Sequence, residues 1–423
     1  MRRLWRDSFL GTGFIYLLMG LILNVSALGI FNLFDPIGDA LGDMQFTDVV
    51  FSRLRETPKA DTNVVLVNIG YLGRRALAQE INLIASYHPK VIGVDALFSG
   101  PKPDSVGDMI LSEAILSASK MTNIVLANRL DYNDSTGKFD GIGHYYSLFS
   151  DNATKNAYVN LPTDNFASSQ DQFKMTRNFT PRVYLDGDKN KEQLAFSVQI
   201  AKLFDPAKAD ALLKRNKDTE VINYRGDFRA TGFEDKVPPQ FFAIDIEDVF
   251  SENFVPSLLK NKIVIMGFMG NNFQSQQWED KFFTPMNPKY AGKANPDMYG
   301  VVIHANIVSM ILHTDFVHVL PGWLDVSIGI IIVFFNILLF SVIYRKLSRW
   351  YDGLTKMIQV LELVIMLFLI IMLFHYFTLK LTLTLAFVGI GLAGDGLEFF
   401  YSVVMNLFSR EGRASLLTME EEV

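Results

Sequence analysis

The stretch GIGLAGDGLEFF, residues 389–400, decides how the chain is read. Gly389, Gly391 and Gly394 match the G-x-G-x-x-G spacing of a dinucleotide-binding turn, and two carboxylates, Asp395 and Glu398, follow at once. Such a turn works only between a short strand and a helix of a βαβ unit. Here LTLTLAFV (381–388) precedes it and FFYSVVMNLF (399–408) follows. Apart from the two acids, no charge occurs between Lys380 and Arg410. A membrane helix needs roughly 20 apolar residues, so 381–408 is predicted to be a membrane span and not a cofactor loop.

Three further spans are predicted at 9–31, 323–344 and 357–377. The first is longer than the roughly 7–15-residue apolar core of a secretory signal and lacks an A-x-A site, so it reads as an uncleaved anchor. Basic residues set the orientation. Arg2, Arg3 and Arg6 precede the first span, Arg345, Lys346, Arg349 and Lys356 separate the second from the third, and Arg410 and Arg413 follow the fourth. With alternating helices these clusters share one side, predicted to be cytoplasmic. Residues 1–8, 345–356 and 409–423 then lie inside and 32–322 outside, which in a bacterium is the periplasmic side of the inner membrane. The lipid bilayer is thus the first expected partner.

A net charge of −6 excludes the basic footprint that nucleic-acid binding needs. The absence of Cys removes disulfides, thiolate catalysis and zinc–cysteine sites together.

Residues 32–322 are long enough for a large core. NVVLVNIG (63–70), KVIGVDALF (90–98) and NIVLANRL (123–130) are apolar, β-branched runs that predict buried strands. RRALAQEINLIASY (74–87), with Leu77, Ile81 and Ile84 on one face and Asn82 and Ala85 beside it, and GDMILSEAILSASK (107–120) predict helices between them. That alternation implies an α/β domain with a mostly parallel sheet. A polar, aromatic stretch over roughly 131–190 predicts an irregular insert with strands at 158–162 and 182–186. A helix at 191–204, a strand at 221–226, a strand turning helical over 241–250, a strand at 262–269 and a helix at 300–316 follow. The segment 270–299 is long for a loop and carries Trp278, Phe282, Phe283, Tyr290 and Tyr299, which argues for function over simple disorder.

These blocks resemble the second class of CHASE domains, the cyclase- and histidine-kinase-associated sensory extracellular domains. The likeness is carried by VVLVNIG, the run from Arg74 to Ile115, INYRGD, and LLKNKIVIMGFM with EDKFFTP and YGVVIHANIVSMIL, in that order. The framing by one helix before and three after also agrees. The resemblance implies an extracytoplasmic sensory domain that signals through the trailing helices. Members usually carry a kinase, cyclase or phosphatase after the last span, whereas SREGRASLLTMEEEV (409–423) follows here, so a non-catalytic protein is expected. Members also usually end the first strand in an acid, where this chain has Asn68-Ile69-Gly70.

Ligands of open α/β sheets bind beyond the carboxyl ends of strands. Asp95 ends the second strand, Asp280 and Thr284-Pro285 lie in the long loop, and His304 lies in the helix after it. One reading joins them in a polar pocket. The other is a helix-capping Asp, a loop Asp and a satisfied core His. Arg225-Gly226-Asp227 is taken as a chance tripeptide, and no hydrolase elbow, zinc-protease helix or P-loop occurs. No cofactor and no metal are expected.

In the last span, Thr384, Gly391, Asp395, Glu398, Ser402 and Asn406 fall on one helical stripe with Gly394 alongside. A polar stripe is expected to turn away from lipid, because a mid-bilayer charge costs ~3 kcal/mol on insertion scales. Asn336, in the second span, is a candidate hydrogen-bond partner for Asp395, and Glu362 is a further buried acid with no obvious cation. Three roles are open to the stripe: bonding within the bundle, binding a membrane helix of another protein, or carrying protons. The chain therefore reads first as a non-catalytic inner-membrane sensor or scaffold, coupled in trans to a membrane or periplasmic protein. A structural subunit of a cell-envelope machine and a proton-coupled device using Asp395 are the alternatives. The sequence is compatible with a homo-oligomer as well.

Overall fold

The computed structural model describes residues 2–27, 45–56, 58–161, 175–228, 239–275, 277–287 and 295–405. The basic Arg410 and Arg413, Asn406, Tyr290 and the tail 409–423 lie outside the described residues. The chain divides into two compact units, Asp48–Val317 and Met1–Thr47 with His318–Val423.

The first unit is an α/β domain. Its sheet is built from β1 (Asp61–Asn68), β2 (Val91–Asp95), β3 (Asn123–Asn133), β4 (Lys138–Gly143), β5 (Lys155–Tyr158), β6 (Phe241–Ile244) and β7 (Ile263–Gly267). The order is β6-β1-β7-β2-β3-β4, with β5 beside the first half of β3. Every pairing is parallel except the β3–β4 hairpin. The apolar runs fit such a sheet, because strands covered on both faces need no polar alternation, and all five residues of β7 are buried.

Helices α2 (Arg74–Ser86) and α3 (Ser105–Ser119) cover one face, where Ile81, Ile84 and Ile115 pack against Val67, Val94 and Met266. Asp104 caps α3 by accepting from Gly107 N at 3.0 Å. On α2 the buried flank belongs to Glu80, while Asn82 is exposed. Helices α4 (Phe196–Phe204) and α5 (Gly300–His313) cover the other face. They approach at glycines: a Cβ on Gly93 would lie 2.4 Å from Ile200 Cδ1, and one on Gly267 would lie 2.7 Å from Val301 Cβ.

Three expectations need correction in this unit. The strand predicted over 158–162 lies at Lys155–Tyr158 and shares only Tyr158 with it. The helix predicted over 191–204 begins only at Phe196, because Glu192–Leu194 pairs with Arg182–Tyr184 as a short antiparallel ribbon. The strand predicted over 221–226 is a ladder only at Glu220–Val221. Beyond it, side chains replace the sheet: Asn306 Oδ1 accepts from Arg225 N at 2.7 Å and Gly226 N at 3.2 Å. The Arg225-Gly226-Asp227 tripeptide is thereby tucked into the domain.

The second unit contains α1 (Arg2–Ala27), α6 (Gly322–Lys346), α7 (Tyr351–Phe377) and α8 (Thr384–Phe399), the last continued by a π turn, Phe400–Val404. Three helices, Gly322–Lys346, Ser348–Phe377 and Thr384–Val404, are long and apolar enough to cross a membrane. Helix α1 packs with them through Ile15 and Met19.

The glycines of the opening stretch are explained here. A Cβ on Gly389 would lie 2.4 Å from Val333 Cγ2 of α6, one on Gly394 3.1 Å from Gln359 Oε1 of α7, and one on Gly396 2.2 Å from Ile15 Cδ1 of α1. Each glycine thus admits a different neighbour, the use of small residues expected where helices pack in lipid.

Candidate functional site

Strands β1, β7 and β2 lie side by side in register, so Asn68, Gly267 and Asp95 form one row at their carboxyl ends. After β1 and β2 the chain turns into α2 and α3 on one face, and after β7 it leads to α5 on the other. A crevice at this edge is the expected ligand position of an open α/β sheet.

Asn68 organises the row. Its Nδ2 donates to Asp245 Oδ1 at 2.8 Å and to Gly270 O at 3.0 Å. Its Oδ1 accepts from Gly70 N at 3.0 Å and Met269 N at 2.9 Å. Asp245, at the end of β6, also accepts from Phe273 N at 2.8 Å. The position must donate as well as accept, which an ionised acid cannot do. This accounts for the amide where the family resemblance led us to expect an acid. Asn68→Asp is expected to destabilise the domain by about 1–3 kcal/mol, through facing acceptors and lost bonds. It should also open the 268–275 turn to protease; an unchanged melting temperature with an uncut turn would contradict this.

Asp280 lies near enough for its charge to act on Asp95, with no hydrogen bond between the two among the described residues. The Asp95 carboxyl is pushed up to about 8, by enclosure first and then by the charge of Asp280. Asp280 is pushed up to about 6 by its surroundings and by Glu279. Its surface remains open to water, which weakens that effect. Its backbone is left-handed (φ 56°), and its carbonyl accepts from Gly300 N at 3.0 Å. The carboxylate would lie 3.4 Å from a Cβ on Gly300, at the start of α5. Aromatic side chains border this region: Tyr71 bonds Glu279 and lies tilted against Phe268 with ring centroids 4.9 Å apart, and Lys281 lies over Tyr299 at 4.7 Å.

The other two predicted residues belong elsewhere. His304 is buried, shares a 2.8 Å hydrogen bond with Ser197 Oγ, and stands edge-on to Phe196. Burial pushes its pKa down to about 3, so it is a neutral packing residue between α4 and α5. Thr284 is buried against Asp297, to which its N donates at 2.9 Å. Enclosure pushes Asp297 up to about 7, against the opposing bonds from Thr284.

On the α2/α3 face the same edge carries an open cleft of about 940 Å³. Ile69, Leu72, Leu77 and Phe98 give it an apolar floor, with Ser99 and Lys102 at its side. Arg74 fixes the wall. It bonds Asp108 and Gly100 O, and its guanidinium lies over Phe149 at 4.9 Å. Ser99 Oγ pairs with His144 Nδ1 at 2.5 Å. The lining is mixed, with Arg74, Ser99, Lys102 and Asp104 beside the apolar side chains. Sequence reasoning missed this cleft, because the 96–104 loop looked like a plain connection. It also missed Asp245, although that acid, like Asp95, directly follows an apolar strand.

The stripe predicted on the last helix is turned the other way. Thr384, Gly391, Asp395, Glu398 and Ser402 are all exposed on this chain, and only Gly394 is buried. Asp395 pairs with Lys356 Nζ, and the predicted partner Asn336 bonds Glu362 instead. The reason is geometric: α7 begins at Tyr351, so Lys356 lies within the helix and reaches α8, whereas Asn336 is buried on α6 facing α7. Among the described residues no group of three metal-ligating side chains occurs.

The family model for the CHASE2 domain matches residues 27–343. No curated protein and no solved structure matches the chain.

Proposed function

The chain belongs to the CHASE2 domain family, whose domain is an extracellular sensory one, and from this we propose that it is a non-catalytic bacterial inner-membrane receptor. Residues 48–317 form the periplasmic sensing head. The three apolar helices and α1 form a four-helix stem with both ends in the cytoplasm, the orientation favoured by Arg6, Arg345, Lys346 and Lys356 on one side. The state of the head passes in trans to another membrane protein.

The observation that carries the sensing role is the cleft beyond β1 and β2, bounded by Arg74 and floored by Leu72, Leu77 and Phe98. Its make-up suits a small, partly apolar molecule with one polar end. A ligand that binds only the folded head raises its stability by mass action. We expect a screen of periplasmic small molecules on the full chain in nanodiscs to give a concentration-dependent rise in the melting temperature of the head. Leu97, exposed on the cleft wall, should abolish that rise when changed to Trp. A ligand whose effect survives Leu97→Trp binds elsewhere.

One feature favours the second reading, a structural subunit of an envelope machine. The β3–β4 hairpin exposes Tyr132 and Ile142, and Trp278 is exposed on the long loop. A stoichiometric protein complex that survives detergent, with no small-molecule response, would replace the receptor by that subunit.

A further inference from the structure

Helix α8 is already held by all three of its neighbours, through Gly389, Gly394 and Gly396. It nevertheless presents a fourth face that carries both of its acids. On this face Thr384, Gly391, Asp395, Glu398 and Ser402 are exposed. A Cβ on Gly391 would meet nothing within 4 Å, so another backbone can approach closely there. Asp395 pairs with Lys356, but the pair stays open, with side-chain exposures of 72% and 52%. Glu398, one turn further on, has no hydrogen-bond or ion-pair partner among the described residues. An acid on the outer face of a helix apolar enough to span a membrane demands a counter-charge or burial in protein.

We propose that this face docks a transmembrane helix of a different protein, one that sets a small residue against Gly391 and a Lys or Arg against Glu398. Charge complementarity selects this occupant. A second copy of the chain, joined about a two-fold axis here, would set Asp395 and Glu398 against the same acids, with one Lys356 per chain to offset them. The proposal rests on the receptor reading and names the partner's chemistry.

The test uses the full chain in native membranes, with a photoreactive amino acid at Gly391, where there is room for it, and at Leu369 of α7 as an exposed control. We expect a cross-link at 391 and not at 369, mapped to a membrane helix with a Lys or Arg within one turn of the cross-linked residue. Glu398→Gln should lower its yield by about tenfold or more, a loss of the size expected for one charged contact. Glu398→Asp should keep it, and a charge swap, Glu398→Lys with an acid in place of the partner's cation, should restore it. A cross-linked band of two copies of this chain would overturn the proposal, as would lipid adducts only, or a partner helix without a basic residue. A head that responds to ligand while position 391 captures nothing sinks this proposal alone. A cross-link with no ligand response sinks the receptor reading instead.

Discussion

Replacing Asp48 with Ala is expected to cost the head about 3–5 kcal/mol, the usual effect of stranding one member of a buried ion pair. Asp48 and Arg177 have side-chain exposures of only 9% and 4%. They meet through two contacts, Nη2 to Oδ2 at 2.8 Å and Nε to Oδ1 at 3.1 Å. Within the α/β unit the pair ties its first residues, from Asp48 on, to the segment around Arg177. A domain is stable by only about 5–15 kcal/mol, so the variant should approach the unfolding threshold. Urea denaturation of the full chain in detergent, followed by amide protection in β1 and β7, measures it. The double variant Asp48→Leu with Arg177→Met removes both charges of this pair and should recover part of the loss. If both variants lose less than about 1 kcal/mol, the pair behaves as a surface contact.

The second large effect concerns Glu80. This acid is fully buried on α2, and both of its carboxylate oxygens lack a hydrogen-bond partner. Burial alone pushes its pKa from 4.5 up to about 8. It is therefore a neutral acid in the folded head, whereas the unfolded chain ionises it at the ordinary value. Stability is fully present below about pH 4.5 and falls as the pH rises towards 8, by about 1.4 kcal/mol for each pH unit in that window. Glu80→Leu should stabilise the head by several kcal/mol at pH 8, by less at pH 4.5, where only the unsatisfied neutral carboxyl is removed, and flatten the pH profile. Asp95 and Asp297 are raised in the same direction, so a residual slope remains. Melting curves at pH 5 and pH 8 decide the matter; equal slopes in both proteins would show that Glu80 reaches water.

Much of the architecture was legible, because parallel strands with both faces covered must be continuously apolar. Val64–Val67, Val91–Val94 and Ile263–Met266 therefore announced themselves. The irregular stretches were harder to read. Beyond the short ladder at Glu220–Val221, Ile222 and Tyr224 are buried outside any strand, and Asn306 supplies the bonds to Arg225 N and Gly226 N from far along the chain. Asp95 and Asp280 were legible as strand-end and loop acids, and the charge of Asp280 bears on Asp95. His304 and Thr284 were polar residues with ordinary local partners, Ser197 and Asp297, which no spacing rule reveals. Glu80 sits three residues after Leu77 and four before Ile84, on the apolar flank of its own helix, and that spacing could have exposed it. On α8 the stripe was correctly grouped, but its direction relative to the other three helices was open, because Gly389, Gly391, Gly394 and Gly396 leave two candidate inner faces. Only the neighbours Val333, Gln359 and Ile15 distinguish them.

The grip of those neighbours limits the mechanics of the stem. With a side chain from a different helix seated against each of Gly389, Gly394 and Gly396, α8 cannot twist about its own axis without driving the bulkier flanks of its surface into Val333, Gln359 or Ile15. Piston displacement or tilting of the four helices together keeps all three contacts, so any message travelling along this stem moves as a translation and not as a gear.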